Sequence, residues 1–475
     1  MLQHSLLRTF SIGVAFSSGA AALRANETIS EGCIKACSQL STTFGTALRY
    51  PDTDNFTIWD AKQLEVRPAC RVEPSSAEDV AQILGAVVEN WCRFAVKGGG
   101  HSRHSDDSNS VGGVTIDLNR LNSIEPSKDG LSARVGGGAT SGQVFRALAE
   151  RNSSFVGGRV ASVGIGGFTT GGGTSPFSNK YGWALDNVYE YEVVLANSTI
   201  VNASESEHAD LYFALRGGSN NFGIVTTFTV RTFPQGPIFS AQVSYSDNQT
   251  EAVLDKVYDL YTRPDLASDL NMGYDLYYTY SAANDGFVML GTQRYEQPIQ
   301  DPPVFQEIDA IPPTSRNVRI GTLASLASDP PLGRDREEVR AIQTVEGFAP
   351  NFISYPLHSN AIAAMKQRGG NALGIEGKDP LFIILISTGW ANAEGDDPVG
   401  TMTTNVANRV KAAARELGVS HPYMYAGYAR AGQDEEIFAG YGENNLRRLR
   451  EVQKSVDPKG VFTSRGLWRG HLKLL

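Results

Sequence analysis

The feature that most constrains this chain is a run of three glycines, residues 98–100, followed directly by His101. Three residues without a Cβ leave a stretch of backbone whose N–H groups can close on a flat or anionic group. Residues 94–96 before it predict a short buried strand, and residues 113–118 predict its pairing neighbour. Two further glycine turns follow apolar runs, at residues 136–138 and 164–173. Together the three turns predict loops that converge on one large ligand.

Bulk composition bounds the size and the partners of the protein. The chain has 475 residues, which is enough for two or three domains with buried cores. Its 49 glycines favour a site built from loops over a helical bundle. The net charge is −9 and no long run of lysine and arginine occurs. Because binding to phosphate backbones needs a basic face, nucleic acid is excluded as a partner.

The N-terminus predicts a secretory signal peptide over residues 1–24. A weakly basic start with His4 and Arg8 precedes residues 10–23, which are small and apolar. A buried first helix is the alternative interpretation. No other stretch is long and apolar enough to span a bilayer. We therefore expect no membrane partner and a protein that is secreted or held in the lumen of the secretory pathway.

All four cysteines lie near the N-terminal end of the chain, at Cys33, Cys37, Cys70 and Cys92. An even number behind a signal peptide predicts two disulfides, for which three pairings are open. The spacing of Cys33 and Cys37 also suits a metal or redox pair, but no further histidine or cysteine completes such a site. Six sequons permit N-glycosylation of an exported chain, at Asn26, Asn55, Asn152, Asn197, Asn202 and Asn248.

Periodicity and capping signals predict alternating helices and strands. Residues 75–78 read as a capping box that opens a helix, and Thr140 with Gln143 reads as a second one. Composition changes after Pro237, and the elements predicted there are not joined by glycine turns. We predict strands at 239–245, 286–295 and 381–388 and helices at 252–262, 399–417 and 444–455. We predict a signal peptide at 1–24, a cysteine-bearing segment at 25–63, a ligand-binding domain at 64–235, a substrate domain at 236–430 and a C-terminal segment at 431–475.

Several common chemistries are excluded by the motifs. Residues 164–169 fail the dinucleotide fingerprint, because its third glycine is Thr169 here and no acidic residue follows at the expected distance. No P-loop and no nucleophile elbow for a serine hydrolase occurs. One loop holds four polar neighbours that could be imagined as metal ligands, His101, His104, Asp106 and Asp107. Nothing downstream in the sequence supplies the outer groups that hydrogen-bond to metal ligands and orient them. We therefore predict no metal.

Six motifs occur together and in a specific order: residues 97–102 (Lys-Gly-Gly-Gly-His-Ser), 113–118, 162–173, 210–218, 221–225 and 457–462. Through these motifs the chain resembles the berberine-bridge-enzyme-like FAD-linked oxidoreductases of the vanillyl-alcohol-oxidase superfamily, and especially the secreted fungal members. The resemblance extends from about residue 30 to the end of the chain. The resemblance implies an α+β fold. A two-subdomain FAD-binding domain of the PCMH type would be joined by a substrate domain, an antiparallel sheet flanked by helices.

The resemblance also implies which residues hold FAD. His101 matches the histidine that bonds covalently to the flavin 8α-methyl; the alternative is that it only packs on the ring. Relatives with a second link carry a cysteine where this chain has Val160, so a single link is expected. The turn at 98–102 would face the pyrophosphate, and the loop at 164–173 would lie along the ring. The implied cofactor-binding residues are Lys97, Gly98, Gly99, Gly100, His101, Ser102, Val163, Gly164, Gly166, Gly167, Gly172, Gly173, Gly223, Ile224 and Val225.

Two further residues match positions with a catalytic role in the family. Val163 matches the position that admits O2 beside the flavin, although a β-branched residue there also suits a core strand. Tyr425 matches a tyrosine that acts as general base in carbohydrate-oxidising relatives. Because a phenol has a pKa near ~10, this role requires a group that lowers it or takes the proton on. The alternative is that Tyr425 and Tyr428 form an aromatic wall.

The resemblance implies a monomeric FAD-dependent oxidase. A hydride would pass from a small organic substrate to the flavin, and O2 would then take the electrons and form H2O2. Fungal secondary-metabolite biosynthesis is the setting implied by the relatives. A carbohydrate oxidase of the same fold is one alternative, and a flavin-bearing cyclase without net redox change is another.

Overall fold

The computed structural model describes residues 12–17, 29–54, 56–104, 106–281, 286–327, 345, 348–463 and 465–474. Over these residues the chain forms three β-sheets with helices packed between and around them. The predicted α+β fold is therefore confirmed, including the antiparallel sheet flanked by helices.

The first sheet carries the first glycine turn. Its strands in the described part of the chain lie in the order Leu48–Arg49, Cys70–Val72, Val114–Asp117 and Phe94–Lys97. The predicted pairing is confirmed, since Phe94 lies opposite Val114 in a parallel ladder. Val114–Asp117 is buried along its whole length, as expected of a central parallel strand. The helix Ala77–Glu89 packs into the same core through its apolar face.

Both predicted helix starts are present, but one is shifted by a residue. The N-cap of Ala77–Glu89 is Ser76, whose hydroxyl accepts a hydrogen bond from Asp79 N at 3.2 Å. The carboxylate of Asp79 in turn accepts from Ser75 N at 2.8 Å. The sequence predicts a capping box of Ser75 with Glu78, whereas the structure has Ser76 as the N-cap and Asp79 as its partner. The shift is possible because either serine can cap the helix and an aspartate can accept the same hydrogen bond as a glutamate. At the second helix, Ser141–Ala149, Gln143 accepts from Thr140 N as predicted, at 2.8 Å.

Two disulfides fasten the N-terminal helix Glu31–Phe44 to the first sheet. Cys33 bonds to Cys92, and Cys37 bonds to Cys70. Cys33 and Cys37 lie one turn apart on the buried face of this helix, so both point inward. The structure thus selects one of the three open pairings and leaves none of the four cysteines for a metal or redox pair. Among the sequons, Asn152, Asn197, Asn202 and Asn248 are exposed, whereas Asn26 and Asn55 lie outside the described residues.

The second sheet is antiparallel and carries the second glycine turn. In the described residues its strands are Ile200–Ser204, Val188–Val194, Ile224–Pro234, Ser132–Gly136 and Ile124–Pro126, and Ser153–Phe155 pairs with the far end of Ile224–Pro234. Side chains of Ile224–Pro234 alternate between buried and half-buried along most of its length, which is the pattern of a strand with one face on the core. Tyr191 and Phe228 pack edge to face within that core.

The third sheet shares a hydrophobic core with the second sheet. Its described strands lie in the order Ile12–Ser17, Leu381–Gly389, Ala349–Leu357, Met272–Ser281, Gly286–Tyr295, Ile238–Ser246 and Ser315–Gly321. All neighbours are antiparallel except Ile12–Ser17, which runs parallel to Leu381–Gly389. Ile12–Ser17 is also the described part of the predicted signal peptide. Met272–Ser281, Ala349–Leu357 and Ser315–Gly321 escaped prediction, because tyrosine, serine, asparagine and arginine interrupt their apolar alternation.

Helices and the C-terminal tail complete the packing. The remaining α-helices in the described residues are Ala61–Leu64, Ile165–Thr170, Ser178–Tyr181, Ala209–Leu215, Thr250–Thr262, Pro264–Ala267, Gln306–Asp309, Leu323–Leu326, Ser359–Ala364, Asp396–Glu416, Asp434–Ala439 and Glu443–Val456. The tail adds to the first sheet, where Phe94 N donates to Leu467 O at 3.0 Å. Within the described residues, no helix combines the length and hydropathy needed to cross a bilayer.

Candidate active site

A cavity of about 450 Å³ lies where the glycine turns of the first two sheets meet the third sheet. Backbone from all three turns lines it, at residues 98–100, at Gly137 and at Gly164, Gly166 and Gly167. Opposite them lie Tyr355 and Leu385 of the third sheet and residues 425–429. The three turns thus converge on one cavity, as the sequence predicts.

The first and third turns touch through their backbones at Gly99 and Gly164. A Cβ added to Gly99 would overlap the backbone nitrogen of Gly164, and a Cβ added to Gly164 would overlap that of Gly99. Neither overlap can be relieved by turning a side chain, because backbone lies on both sides. This contact therefore requires glycine at both positions.

Residues 165–170 form a short helix, Ile165–Thr170, where the sequence predicted a loop throughout 164–173. Ile165 is fully buried and its N–H donates to Ala139 O at 2.9 Å, which anchors the start of the helix to the second turn. Glycine content predicts a loop here, but tertiary packing of Ile165 and the cap at Gly171 override it. The bare backbone of Gly166 and Gly167 still faces the cavity.

His101 is held in one orientation by two contacts. Its Nε2 lies 2.7 Å from Ser162 Oγ, which belongs to the third glycine turn. Its ring stacks on Trp59 with centroids 3.9 Å apart and planes inclined by 16°. The imidazole is half-buried and lines the cavity. A nucleophilic imidazole is therefore positioned at the cavity wall with its ring plane defined.

Most of the predicted site residues meet at the cavity. Its lining includes Gly98, Gly99, Gly100, His101, Ser102, Val163, Gly164, Gly166, Gly167, Gly223, Ile224, Val225 and Tyr425. Lys97 lies behind the first turn instead, where its Nζ contacts Asp117 Oδ1 at 3.0 Å and is buried. Gly172 and Gly173 also lie off the cavity surface, packed against Tyr425 and Phe168 respectively.

Tyr425 stands against the second half of the third turn. Its hydroxyl oxygen accepts a hydrogen bond from Gly173 N at 3.1 Å. Gly172, with φ of 136°, leaves room for the phenol ring, since a Cβ there would lie 2.7 Å from Tyr425 Cε2. Burial raises the pKa of Tyr425, and nearby Tyr428 raises it further. At neutral pH the phenol is therefore protonated and serves as a wall of the cavity.

Sequence reasoning missed Arg159, a buried cation at the cavity wall. Its Nε donates to Asp275 Oδ2 at 2.7 Å, and its guanidinium lies 4.7 Å from the centroid of the Tyr355 ring. Nη1 donates to Thr174 Oγ1 at 3.1 Å. One signal was available: Arg159 is the charged residue in an otherwise apolar and glycine-rich stretch, 155–161.

The loop residues His104 and Asp107, in which the sequence showed only polar neighbours, contact His471 of the C-terminal tail. Asp107 contacts the His471 ring and accepts from His471 N at 2.6 Å. Although burial opposes it, His471 lowers the pKa of Asp107 to about 2. Burial beside His471 lowers the pKa of His104 to about 4, and His104 Nε2 lies 3.0 Å from Ala429 O. No sequence pattern places residue 471 near residue 104, because the contact depends on the return of the tail.

These residues fit a flavin nucleotide. Bare glycine backbone lines one side of the cavity, and a Cβ at Gly167 would meet nothing within 4 Å, so the space beside it is open. Apolar and aromatic side chains line the other side, as a planar ring system requires. His101 offers a nucleophile at the same surface.

The comparisons agree with this geometry. Residues 68–204 match an FAD binding domain, which contains all three glycine turns. The chain is 33% identical over 490 residues to a protein named FAD-dependent monooxygenase tpcD from Cochliobolus heterostrophus, covering 91% of this chain and 93% of the relative. The chain belongs to the same family of FAD-dependent oxidoreductases as this fungal relative.

Solved structures of such oxidoreductases share the fold of this chain. Berberine-bridge-enzyme-like 1 (variant D396N) from Physcomitrella patens superposes with a TM-score of 0.72 at 22% identity, over 92% of this chain and 99% of the other. Glucooligosaccharide oxidase from Acremonium strictum superposes with a TM-score of 0.70 at 19% identity, over 93% and 99%. The FAD of that oxidase is described as 6-S-cysteinyl, 8α-N1-histidyl.

The Gly99–Gly164 contact generates a prediction. Gly99→Ala forces the two turns apart, so we expect purified protein to contain less than about a tenth of the wild-type flavin and to unfold at a lower temperature. Flavin absorbance per chain and thermal unfolding measure both effects. Gly236→Ala is the matched control, because a Cβ there meets nothing within 4 Å. Wild-type flavin content in Gly99→Ala would contradict the role of this contact.

Proposed function

We propose that this chain is an FAD-dependent oxidase of small organic molecules, with FAD bound by the three glycine turns and linked covalently through His101 alone. The observation that carries the proposal is the convergence of His101, the two touching glycine turns and the wall of Tyr355, Tyr425 and Tyr428 on one cavity. The residues at the cavity would hold FAD, and the bound cofactor would supply two-electron redox chemistry between the substrate and O2. The residues of the chain bind, orient and enclose the reactants.

The support for a covalent link is the position of His101. Ser162 holds the ring by Nε2 and Trp59 holds its plane, so the imidazole is presented to the cavity in a fixed orientation. A preoriented nucleophile reacts faster with a neighbouring group because little orientational freedom remains to be lost. A bond to FAD at this position would also prevent its dissociation.

The support for a single link is the state of the cysteines. Glucooligosaccharide oxidase is described with a cysteinyl and a histidyl bond to FAD. In this chain Val160 lines the cavity, and all four cysteines form the disulfides Cys33–Cys92 and Cys37–Cys70. A thiolate is needed for a cysteinyl bond, and none is present. We therefore assign the attachment to histidine only.

The His101 assignment is tested by removing the imidazole. We expect His101→Ala to release its flavin into the supernatant on acid precipitation, whereas the wild-type pellet stays yellow. His208→Ala is the control, since that histidine lies on the surface beside Asn202 and away from the cavity. A yellow pellet from His101→Ala would show that the link is elsewhere.

Val163 is proposed to admit O2 to the reduced cofactor. Val163 lines the cavity beside Gly158. Even a single carbon added to Gly158 would lie 3.4 Å from Val163 Cγ1, so little space separates the two residues. A larger side chain at this position would fill the remaining space beside the bound ring.

This role predicts a selective effect of Val163→Leu. We expect chemically reduced Val163→Leu to be reoxidised by O2 at least about tenfold more slowly than wild type, because one extra methylene closes the access. Stopped-flow absorbance of dithionite-reduced protein mixed with O2 measures this without a substrate. Val160→Leu, a neighbouring substitution of the same size at the same cavity, is the control. Equal slowing in both variants would contradict a specific gate at Val163.

We propose that Tyr425 positions the third turn and that it is not the proton acceptor. Its hydroxyl oxygen accepts from Gly173 N, which favours the phenolate, but burial outweighs this and raises the pKa of Tyr425. A general base must have a pKa near the working pH to be effective. The aromatic-wall interpretation of the sequence is therefore the one that the site supports better.

We propose that the protein is a monomer exported through the secretory pathway. Two disulfides and four exposed sequons suit an oxidising, glycosylating compartment. We expect protein from a eukaryotic host to shift to higher mobility on a denaturing gel after treatment with an endoglycosidase. A variant with Asn152, Asn197, Asn202 and Asn248 changed to Gln is the control. Unaltered mobility of the wild-type protein would contradict export by this route.

A further inference from the structure

The face of the third sheet that looks onto the cavity is divided into two chemically different halves. Near the cavity it presents Tyr355 and Leu385. Further along the same sheet, strand alternation and register place a polar set of side chains together. Ser240 lies opposite both Arg294 and Arg319, and Gln242 lies opposite Thr292 and Asn317. Because paired residues of neighbouring strands share a face, these six side chains lie on one surface.

This polar half lines a second cavity, of about 90 Å³. Ser240, Gln242, Thr292, Arg294, Asn317 and Arg319 all line it. Arg159 lines both the second cavity and the main one. The guanidinium of Arg159 therefore stands between the proposed flavin site and a separate polar space on the same sheet.

Positive charge dominates the second cavity. Three arginines line it, and among the described residues no aspartate or glutamate does. Two of the arginines pair with Asp275, whose Oδ2 accepts from Arg159 Nε at 2.7 Å and also pairs with Arg294 Nη1. One carboxylate is thus shared by two guanidinium groups. Arg319 Nη2 donates to Ser325 O at 2.8 Å, which is a neutral acceptor.

Burial makes the charge of two of these arginines costly. The side chain of Arg159 is 14% exposed and that of Arg294 is 16% exposed, so both are largely removed from water, whereas Arg319 is exposed at the mouth of the cavity. A desolvated positive charge is stabilised by an anion that forms charge-assisted hydrogen bonds with it. Ser240, Gln242, Thr292 and Asn317 add neutral groups that can complete the hydrogen bonding of such an anion.

We propose that the second cavity is an anion subsite that binds a carboxylate of the substrate. Arg294 and Arg319 would hold the carboxylate, and Arg159 would contact the substrate where it passes into the main cavity. Guanidinium groups suit this role because their planar N–H pairs match the two oxygens of a carboxylate. The inference rests on the proposed function, which places oxidation of the substrate in the main cavity. It adds the chemical class of the substrate: small organic acids whose carboxylate lies away from the carbon that is oxidised.

The test compares a charged and a neutral probe of the same shape. Benzoate and benzamide are titrated into the FAD-loaded full-length protein, and binding is measured by isothermal titration calorimetry. We expect benzoate to bind at least about tenfold more tightly than benzamide, since a hydrogen bond to a charged group is the stronger one. We expect Arg319→Gln to remove most of that preference. Equal binding of the two probes to the wild-type protein would overturn the proposal.

Arg316→Gln is the matched control. Arg316 is on the same strand, Ser315–Gly321, but lies opposite Val243, so it points to the other face of the sheet and pairs with Asp301. An equal loss of benzoate binding in Arg316→Gln and Arg319→Gln would indicate a general charge effect and would also overturn the proposal. Flavin absorbance of each variant reports correct folding. Protein that is yellow but indifferent to benzoate contradicts the subsite alone, whereas colourless wild-type protein contradicts the proposed function.

Discussion

The backbone contact between Gly99 and Gly164 is the constraint on which the rest of the site depends. It joins the turn after the last strand of the first sheet to the turn that opens the helix Ile165–Thr170. Because side chains are absent at both positions, the two turns lie against each other and their neighbours face a shared space. His101 reaches Ser162 across this contact, so the orientation of the proposed nucleophile follows from it.

The remaining elements close the space that this contact opens. The third sheet brings Tyr355 and Leu385 to the cavity, residues 425–429 add two further tyrosines, and the C-terminal tail adds His471 beside Asp107. The disulfides hold the N-terminal helix on the first sheet at a distance from the chemistry. Backbone thus lines one side of the cavity and side chains line the opposite side. The side chains of the third sheet are uncharged near the cavity and include arginines further along the sheet.

Local patterns in the sequence predicted the parts of the site that depend on backbone. The three glycine turns, the parallel pair of strands beside the first turn and the cap at Thr140 are each set by residues close together in the chain, and the structure confirms them. The helix Ile165–Thr170 was missed because burial of Ile165 outweighs the loop preference of its glycines. Arg159, His104 and His471 act through partners distant in sequence, Asp275, Ala429 and Asp107, so no short-range pattern could indicate their role.

The central claim is that one histidine of the first glycine turn carries the cofactor. Mass spectrometry of a tryptic digest of the wild-type protein tests it most directly, because cleavage after Lys97 and Arg103 isolates residues 98–103 as one short peptide. We expect this peptide to carry the mass of the flavin and no other peptide to do so. Flavin on a different peptide, or an unmodified 98–103 peptide from protein that is yellow, would contradict it.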